Sequence, residues 1–120
     1  MKKREREFFR KMLKRQLDEL TQKSDATIAE LLNSTINSAD PLERTALGLE
    51  RDFAIRMLDR EHKLILKIRK ALQKIEDQTF GICEGCGEEI DIERMRLRPV
   101  TEFCIGCKSD QEKLEKLICE

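Results

Sequence analysis

From residue 2 to about residue 36 the chain has neither proline nor glycine, and apolar residues return at Phe9, Leu13, Leu17, Leu20, Ile28, Leu31 and Leu32. That spacing follows the turn of an α-helix and predicts one long amphipathic helix, weakened midway by the polar patch at residues 22–25. A second segment is more regular. Steps of four and three from Leu47 visit Arg51, Ala54, Leu58, Glu61, Ile65, Ile68, Leu72 and Ile75, and seven of these nine positions are apolar, the seam of a coiled coil. Arg51 and Glu61 interrupt the seam, as polar residues do where they set register rather than add stability.

Each helix is expected to run roughly 30–35 residues, about 45–52 Å at 1.5 Å per residue. Neither can bury its stripe alone, and the connector SADPLERTA is short. The economical solution is an antiparallel hairpin with its tip at residues 37–46. In that tip Asp40 is placed to cap the second helix, Pro41 to open it and Glu43 to complete a capping box. A parallel homodimeric coiled coil is the competing arrangement, but a continuous rod has no use for an Asp-Pro stop halfway along. An acidic tip on a stiff arm points to a basic or metal-bearing target.

Composition agrees with helices that are mostly exposed. Of the 120 residues, 40% are charged and 4% aromatic, with no Trp or Tyr, which leaves little for a large core. The formal charge is zero, but residues 2–15 hold eight basic against two acidic residues, and residues 79–120 hold six against ten. No run is apolar enough for a membrane span, and MKKREREFF lacks the apolar centre of a signal peptide. A cytoplasmic protein is expected, whose five cysteines stay reduced and favour metal over disulfides.

Cys83 and Cys86 form one C-x-x-C pair and, after seventeen intervening residues, Cys104 and Cys107 form another. This is the spacing of a four-thiolate zinc site, in which two knuckles converge on one tetrahedral ion. Gly85, Gly87 and Gly106 are available for the left-handed backbone of such knuckles, and the intervening stretch for a short strand or two. Four thiolates close the metal's coordination sphere, which indicates structural rather than catalytic zinc. A redox C-x-x-C would need a βαβ surround that is missing here. His62 falls mid-helix and Cys119 is an incidental thiol. Nothing supplies an activated nucleophile or an acid–base pair, so an enzyme is not expected. After Cys107, Ser109 and Glu112 read as a capping box for a terminal helix, whose Leu114, Leu117 and Ile118 are expected to pack near Phe8, Phe9 and Phe80. The fold class is therefore mainly α. It comprises a long antiparallel helical hairpin, residues 1–78, and a small zinc-ribbon-like head with a short C-terminal helix, residues 79–120.

The run KIEDQTFGICEGCGEEI continuing into RPVTEFCIGCK, after a long hairpin with an Asp-Pro tip, resembles the DksA/TraR family of transcription factors over nearly the whole chain. The resemblance implies a monomer that binds RNA polymerase directly, its coiled coil entering the secondary channel to alter open-complex stability and promoter output. It implies no membrane partner and no direct sequence-specific DNA binding. Many members act together with the alarmone guanosine tetraphosphate. The family tip motif Asp-x-x-Asp-x-Ala falls on Asp40, Glu43 and Thr45, of which only the first matches. Basic alarmone contacts fall on Lys67, Arg98 and Lys108, and a polymerase contact on Arg60. The alternative from another class is a zinc-ribbon nucleic-acid-binding or adaptor protein dimerising through its helices. It would use the basic N-terminal turn as a phosphate contact, against the net charge of −4 over residues 79–120.

Overall fold

Uninterrupted helix-forming sequence gives two long helices, α1 (Lys3–Ser34) and α2 (Pro41–Glu76), followed by α3 (Ile92–Leu97) and α4 (Ile105–Cys119). A computed structural model describes residues 2–34 and 41–119, without the side chains of residue 34, residues 41–45, residue 47 or residue 119. Pro41 is the first residue of α2, where its fixed φ and missing N–H are harmless. Asp40 lies outside the described residues. Glu43 and Thr45 lie on helical backbone, but their side chains are outside the description too.

The chain divides into two units, each with its own packing. One unit is Lys14–Arg69, the facing stretches of α1 and α2. Leu17, Leu20, Ala54 and Leu58 are half-buried there, and Ile65 and Ile68 are buried. The seam interruption Glu61 is buried as well, at 7% exposure. Its carboxylate accepts a 2.7 Å hydrogen bond from Ser24 Oγ and stands 3.5 Å from Lys23 Nζ. The polar patch on α1 and the polar break on α2 are thus one feature, and the unexpectedly buried carboxylate has its partners. Six residues separate α1 from α2. They reach at most about 25 Å, roughly half the length of either helix, so two helices that meet in this unit run antiparallel.

The other unit joins Met1–Leu13 to Lys70–Glu120. Its core is Phe9, Leu13, Ala71, Ile75, Phe80, Cys83, Ile90 and Met95. The rings of Phe9 and Phe80 lie 5.3 Å apart and tilted, a favourable aromatic pairing. Within the same unit Arg10 and Glu76 make a long ion pair at 3.9 Å. The end of α2 is a Schellman motif. Gln78 takes φ +62°, its N–H donates to the Ile75 carbonyl at 3.3 Å, and the Thr79 N–H donates to the Lys74 carbonyl at 2.9 Å.

Three expectations about this unit are corrected. Between the cysteine pairs there is no pair of strands among the described residues, only an antiparallel bridge of Ile82 with Glu89 and then α3. Asp91 caps α3 by accepting from the Glu93 N–H at 3.4 Å, and Met95, wholly buried, anchors it. The terminal helix begins at Ile105 rather than at a Ser109 cap, because the second knuckle is itself its first turn. Leu114, Leu117 and Ile118 are 59%, 73% and 82% exposed instead of packed.

A four-cysteine metal centre and its supports

The first knuckle is a turn and the second a helix start. Gly87 adopts φ +75°, a conformation that glycine takes without strain, and its N–H donates to the Cys83 carbonyl at 2.9 Å. Cys104 immediately precedes α4 and Cys107 lies in its first turn, where the Lys108 N–H donates to the Cys104 carbonyl at 3.0 Å. Residues three apart share a helix face, so both sulfurs point the same way. Gly85 does not take the left-handed conformation expected of it; its role is closeness. A Cβ there would lie 3.0 Å from Cys107 Sγ and 3.3 Å from Cys107 Cβ. Gly106 has open space around it and an ordinary helical backbone.

These elements bring Cys83, Cys86, Cys104 and Cys107 together, their sulfurs all within 4.8 Å of one another. A zinc ion with Zn–S distances of about 2.3 Å demands sulfurs about 3.8 Å apart, and Cys86 Sγ lies 3.8 Å from Cys104 Sγ. The donor set, its number and its spacing all fit one tetrahedral zinc. With four thiolates the sphere is closed, so the metal is a structural cross-link between the two knuckles.

Backbone amides prepare the cage for anionic sulfur. The Cys83 thiol is lowered to about 6, first by the Cys104 amide, which donates to its sulfur at 3.3 Å, then by the amides of Cys86 and Gly85. The Cys107 thiol is pushed up to about 12 by hydrogen bonding to the Cys104 and Cys83 sulfurs. Zinc takes cysteine as thiolate, so binding of the ion releases protons.

Around the cage, polar contacts lock the loops. The Glu84 N–H donates to the Glu102 carbonyl at 2.8 Å, tying one knuckle to the segment before the other. Arg94 Nε and Thr101 Oγ1 both donate to the Phe103 carbonyl at 3.2 Å. The end of α2 is clamped to the same loops by Lys74 on Glu84 at 2.7 Å and Lys70 on Glu102 at 2.7 Å and Glu84 at 3.4 Å. Hydrogen bonding to Glu102 holds Lys70 above its ordinary value, and Lys74 holds Glu84 below the usual carboxylate range. The sequence marks none of these four as a group, because charges at such separations look like any solvated face.

The other residues singled out from the sequence are not gathered at the cage. Arg60 and Lys67 are exposed on the part of α2 within Lys14–Arg69. Arg98 is exposed at the end of α3, next to the buried Pro99, and Lys108 is half-buried on the first turns of α4. His62 is exposed mid-helix. Among the described residues no helix is long and apolar enough to cross a membrane.

Comparison with known proteins agrees with this anatomy. Residues 5–75 match the family model of the DnaK suppressor protein DksA, N-terminal domain, and residues 78–113 match that of the prokaryotic dksA/traR C4-type zinc finger. The chain is 42% identical over 108 residues to the RNA polymerase-binding transcription factor DksA of Escherichia coli K12, covering 90% of this chain and 72% of the relative. It is 36% identical over 110 residues to the protein of the same name from Haemophilus influenzae, covering 92% and 76%. The solved structure of transcription factor DksA2 from Pseudomonas aeruginosa superposes with a TM-score of 0.90 at 34% identity, over 97% of this chain and 89% of that one. With two matching family models that together span most of its length, and a four-cysteine cage built to the geometry of zinc, the chain belongs to the DksA/TraR family.

Proposed function

We propose that this protein is a transcription regulator that binds RNA polymerase directly and is not an enzyme. The observation that carries the reading is the 42% identity, over 90% of the chain, to a relative named as an RNA polymerase-binding transcription factor. The chemistry agrees. The metal cage is closed and offers no coordination site to a substrate.

In this reading residues 1–78 are an arm and residues 79–120 a head that braces it. The arm enters the polymerase secondary channel, and the tip carrying Asp40, Glu43 and Thr45 reaches the region of the catalytic centre. Open-complex lifetime then changes, and promoter output with it. Arg60 contacts polymerase, while Lys67, Arg98 and Lys108 supply cations for guanosine tetraphosphate at the interface. Tetraphosphate recognition calls for several converging Lys and Arg side chains. The protein acts as a cytoplasmic monomer. Glu43 keeps the second tip charge on a longer stem, and Thr45 puts a branched hydroxyl side chain where the family motif has alanine, so the size of the regulatory effect is set at these two positions.

The test is pull-down by purified core polymerase, followed by transcription in vitro from a ribosomal RNA promoter with and without guanosine tetraphosphate. Retention on polymerase and a change in transcript yield that deepens with the alarmone are expected. No retention at micromolar protein would refute the proposal.

A further inference from the structure

In the unit that joins Met1–Leu13 to Lys70–Glu120, the first turns of α1 meet the chain between α2 and α3 around a cavity of about 370 Å³. That volume is within the range of small-molecule sites. Phe80, Ile82 and Ile90 give it an apolar wall, of which Phe80 and Ile90 are buried. The wall is braced by the Ile90 N–H, which donates to the Gly81 carbonyl at 2.7 Å, and by the bridge of Ile82 with Glu89. Arg6 supplies a cation from α1. It is half-buried, and its Nε is enclosed without an acceptor. Its guanidinium makes no ion pair among the described residues. Donors enclosed without an acceptor are rare in folded proteins, and here carboxylates are close by, since Glu5 and Asp91 line the same cavity. Those two are turned to local duties. Glu5 Oε2 accepts from the Lys2 N–H at 3.2 Å, and Asp91 Oδ1 accepts from the Glu93 N–H at 3.4 Å, so each keeps a second oxygen.

We propose that this cavity binds a small zwitterion with an apolar side chain, of the free amino-acid or dipeptide class. Its carboxylate pairs with the Arg6 guanidinium, a fork that matches a carboxylate in two parallel hydrogen bonds. Its ammonium meets the remaining oxygens of Glu5 and Asp91, and its side chain lies on Phe80, Ile82 and Ile90. Each other ligand class leaves part of the site unmatched. A polyphosphate would find one guanidinium amid the carboxylates of Glu5, Glu89 and Asp91, and like charges repel it. A purely apolar molecule would bury the guanidinium and leave it unpaired, which is costly. A cation would be repelled by Arg6 and would leave it without a partner. The site is separate from the four-cysteine cage, and its occupancy does not depend on whether the protein binds polymerase.

Isothermal titration of the zinc-loaded full chain with leucine, leucyl-leucine, N-acetyl-leucine, leucine amide and pyrophosphate tests this. Methyl NMR of isoleucine-labelled protein locates whatever binds. Either zwitterion, the free amino acid or the dipeptide, is expected to bind at millimolar concentration and to shift the methyl signals of Ile82 and Ile90. Which of the two binds more tightly identifies the source. N-acetyl-leucine, without the ammonium, and leucine amide, without the carboxylate, are each expected to bind at least about tenfold more weakly, as when a hydrogen bond to a charged group is lost. Arg6→Met, which keeps the apolar stem, should weaken the zwitterion by at least about tenfold as well. Asp91→Ser, which removes the carboxylate but keeps a helix-capping oxygen, should weaken it in the same direction. Glu115→Gln, exposed on α4, should leave binding unchanged. Circular dichroism confirms that each variant folds, and the ligand series on the wild-type chain reads the same chemistry without any substitution. Absence of binding by both zwitterions at millimolar concentration overturns the proposal. So does binding that Arg6→Met leaves intact or that shifts neither isoleucine. Pyrophosphate binding more tightly than either zwitterion, and lost in Arg6→Met, would make this an anion site and the proposal wrong.

Discussion

The Ser24 hydroxyl donates a 2.7 Å hydrogen bond to the Glu61 carboxylate, itself buried at the seam between α1 and α2. Hydrogen bonds to charged groups contribute about 1.5–3 kcal/mol, because the buried anion would otherwise lose its solvation uncompensated. Lys23, 64% exposed at its side chain, adds less, as solvent screens it. Ser24→Ala should therefore lower stability by about 1.5 kcal/mol in urea unfolding. The double variant Ser24→Ala with Glu61→Leu should recover most of that loss, since apolar residues replace buried ionic groups at little cost. It should also give up the mark that fixes helix register, seen as mixed oligomers by light scattering.

The same pair shows what was legible in the sequence. Helical spacing of apolar residues marks both long helices, steps of four and three mark the seam of α2, and Pro41 marks its start, because helix periodicity and proline geometry are local properties. The reciprocity of Ser24 and Glu61 is not local: it depends on which turn of α1 faces which turn of α2. The cysteine cage was legible because metal ligation imposes a fixed spacing on the chain. Its Lys70, Lys74, Glu84 and Glu102 clamp was not, since its residues are up to 32 positions apart and carry no motif. Helix α3 is six residues long, IERMRL, too short for periodicity to separate it from strand.

Burial separates the apolar residues of the unit that joins Met1–Leu13 to Lys70–Glu120 sharply. Phe9 is buried against Phe80, whereas Leu117 is exposed on α4. Phe9→Ala should cost about 3–5 kcal/mol through lost transfer energy and the cavity left behind. Leu117→Ala should stay within about 0.5 kcal/mol. Paired urea titrations of the two variants check this.

Gln78 closes the Schellman motif at the end of α2 with φ +62°, a position that usually belongs to glycine. A side chain there carries the penalty of the left-handed conformation. Gln78→Gly should raise stability by about 0.5–1 kcal/mol, since glycine relieves that strain but starts from a freer unfolded chain. Thermal unfolding of the zinc-loaded protein measures it.

Gly85 passes so close to Cys107 that an added Cβ would stand 3.0 Å from its sulfur. The neighbour is a metal ligand held by its helix and cannot give way without deforming the cage. Gly85→Ala should weaken zinc binding by about tenfold to a hundredfold, comparable to losing a group that orients a ligand. Competition with a chromophoric chelator reads this directly. Gly106→Ala, with open space around it, should leave zinc affinity unchanged.

The central claim is that the tip of this molecule works inside RNA polymerase. A photo-crosslinking residue at position 43, in a complex of the zinc-loaded chain with core polymerase, tests it most directly. The expected result is crosslinks to the polymerase subunit that forms the secondary channel and catalytic centre, competed away by unlabelled protein. Binding without such crosslinks, or crosslinks confined to the outer surface of polymerase, would contradict it.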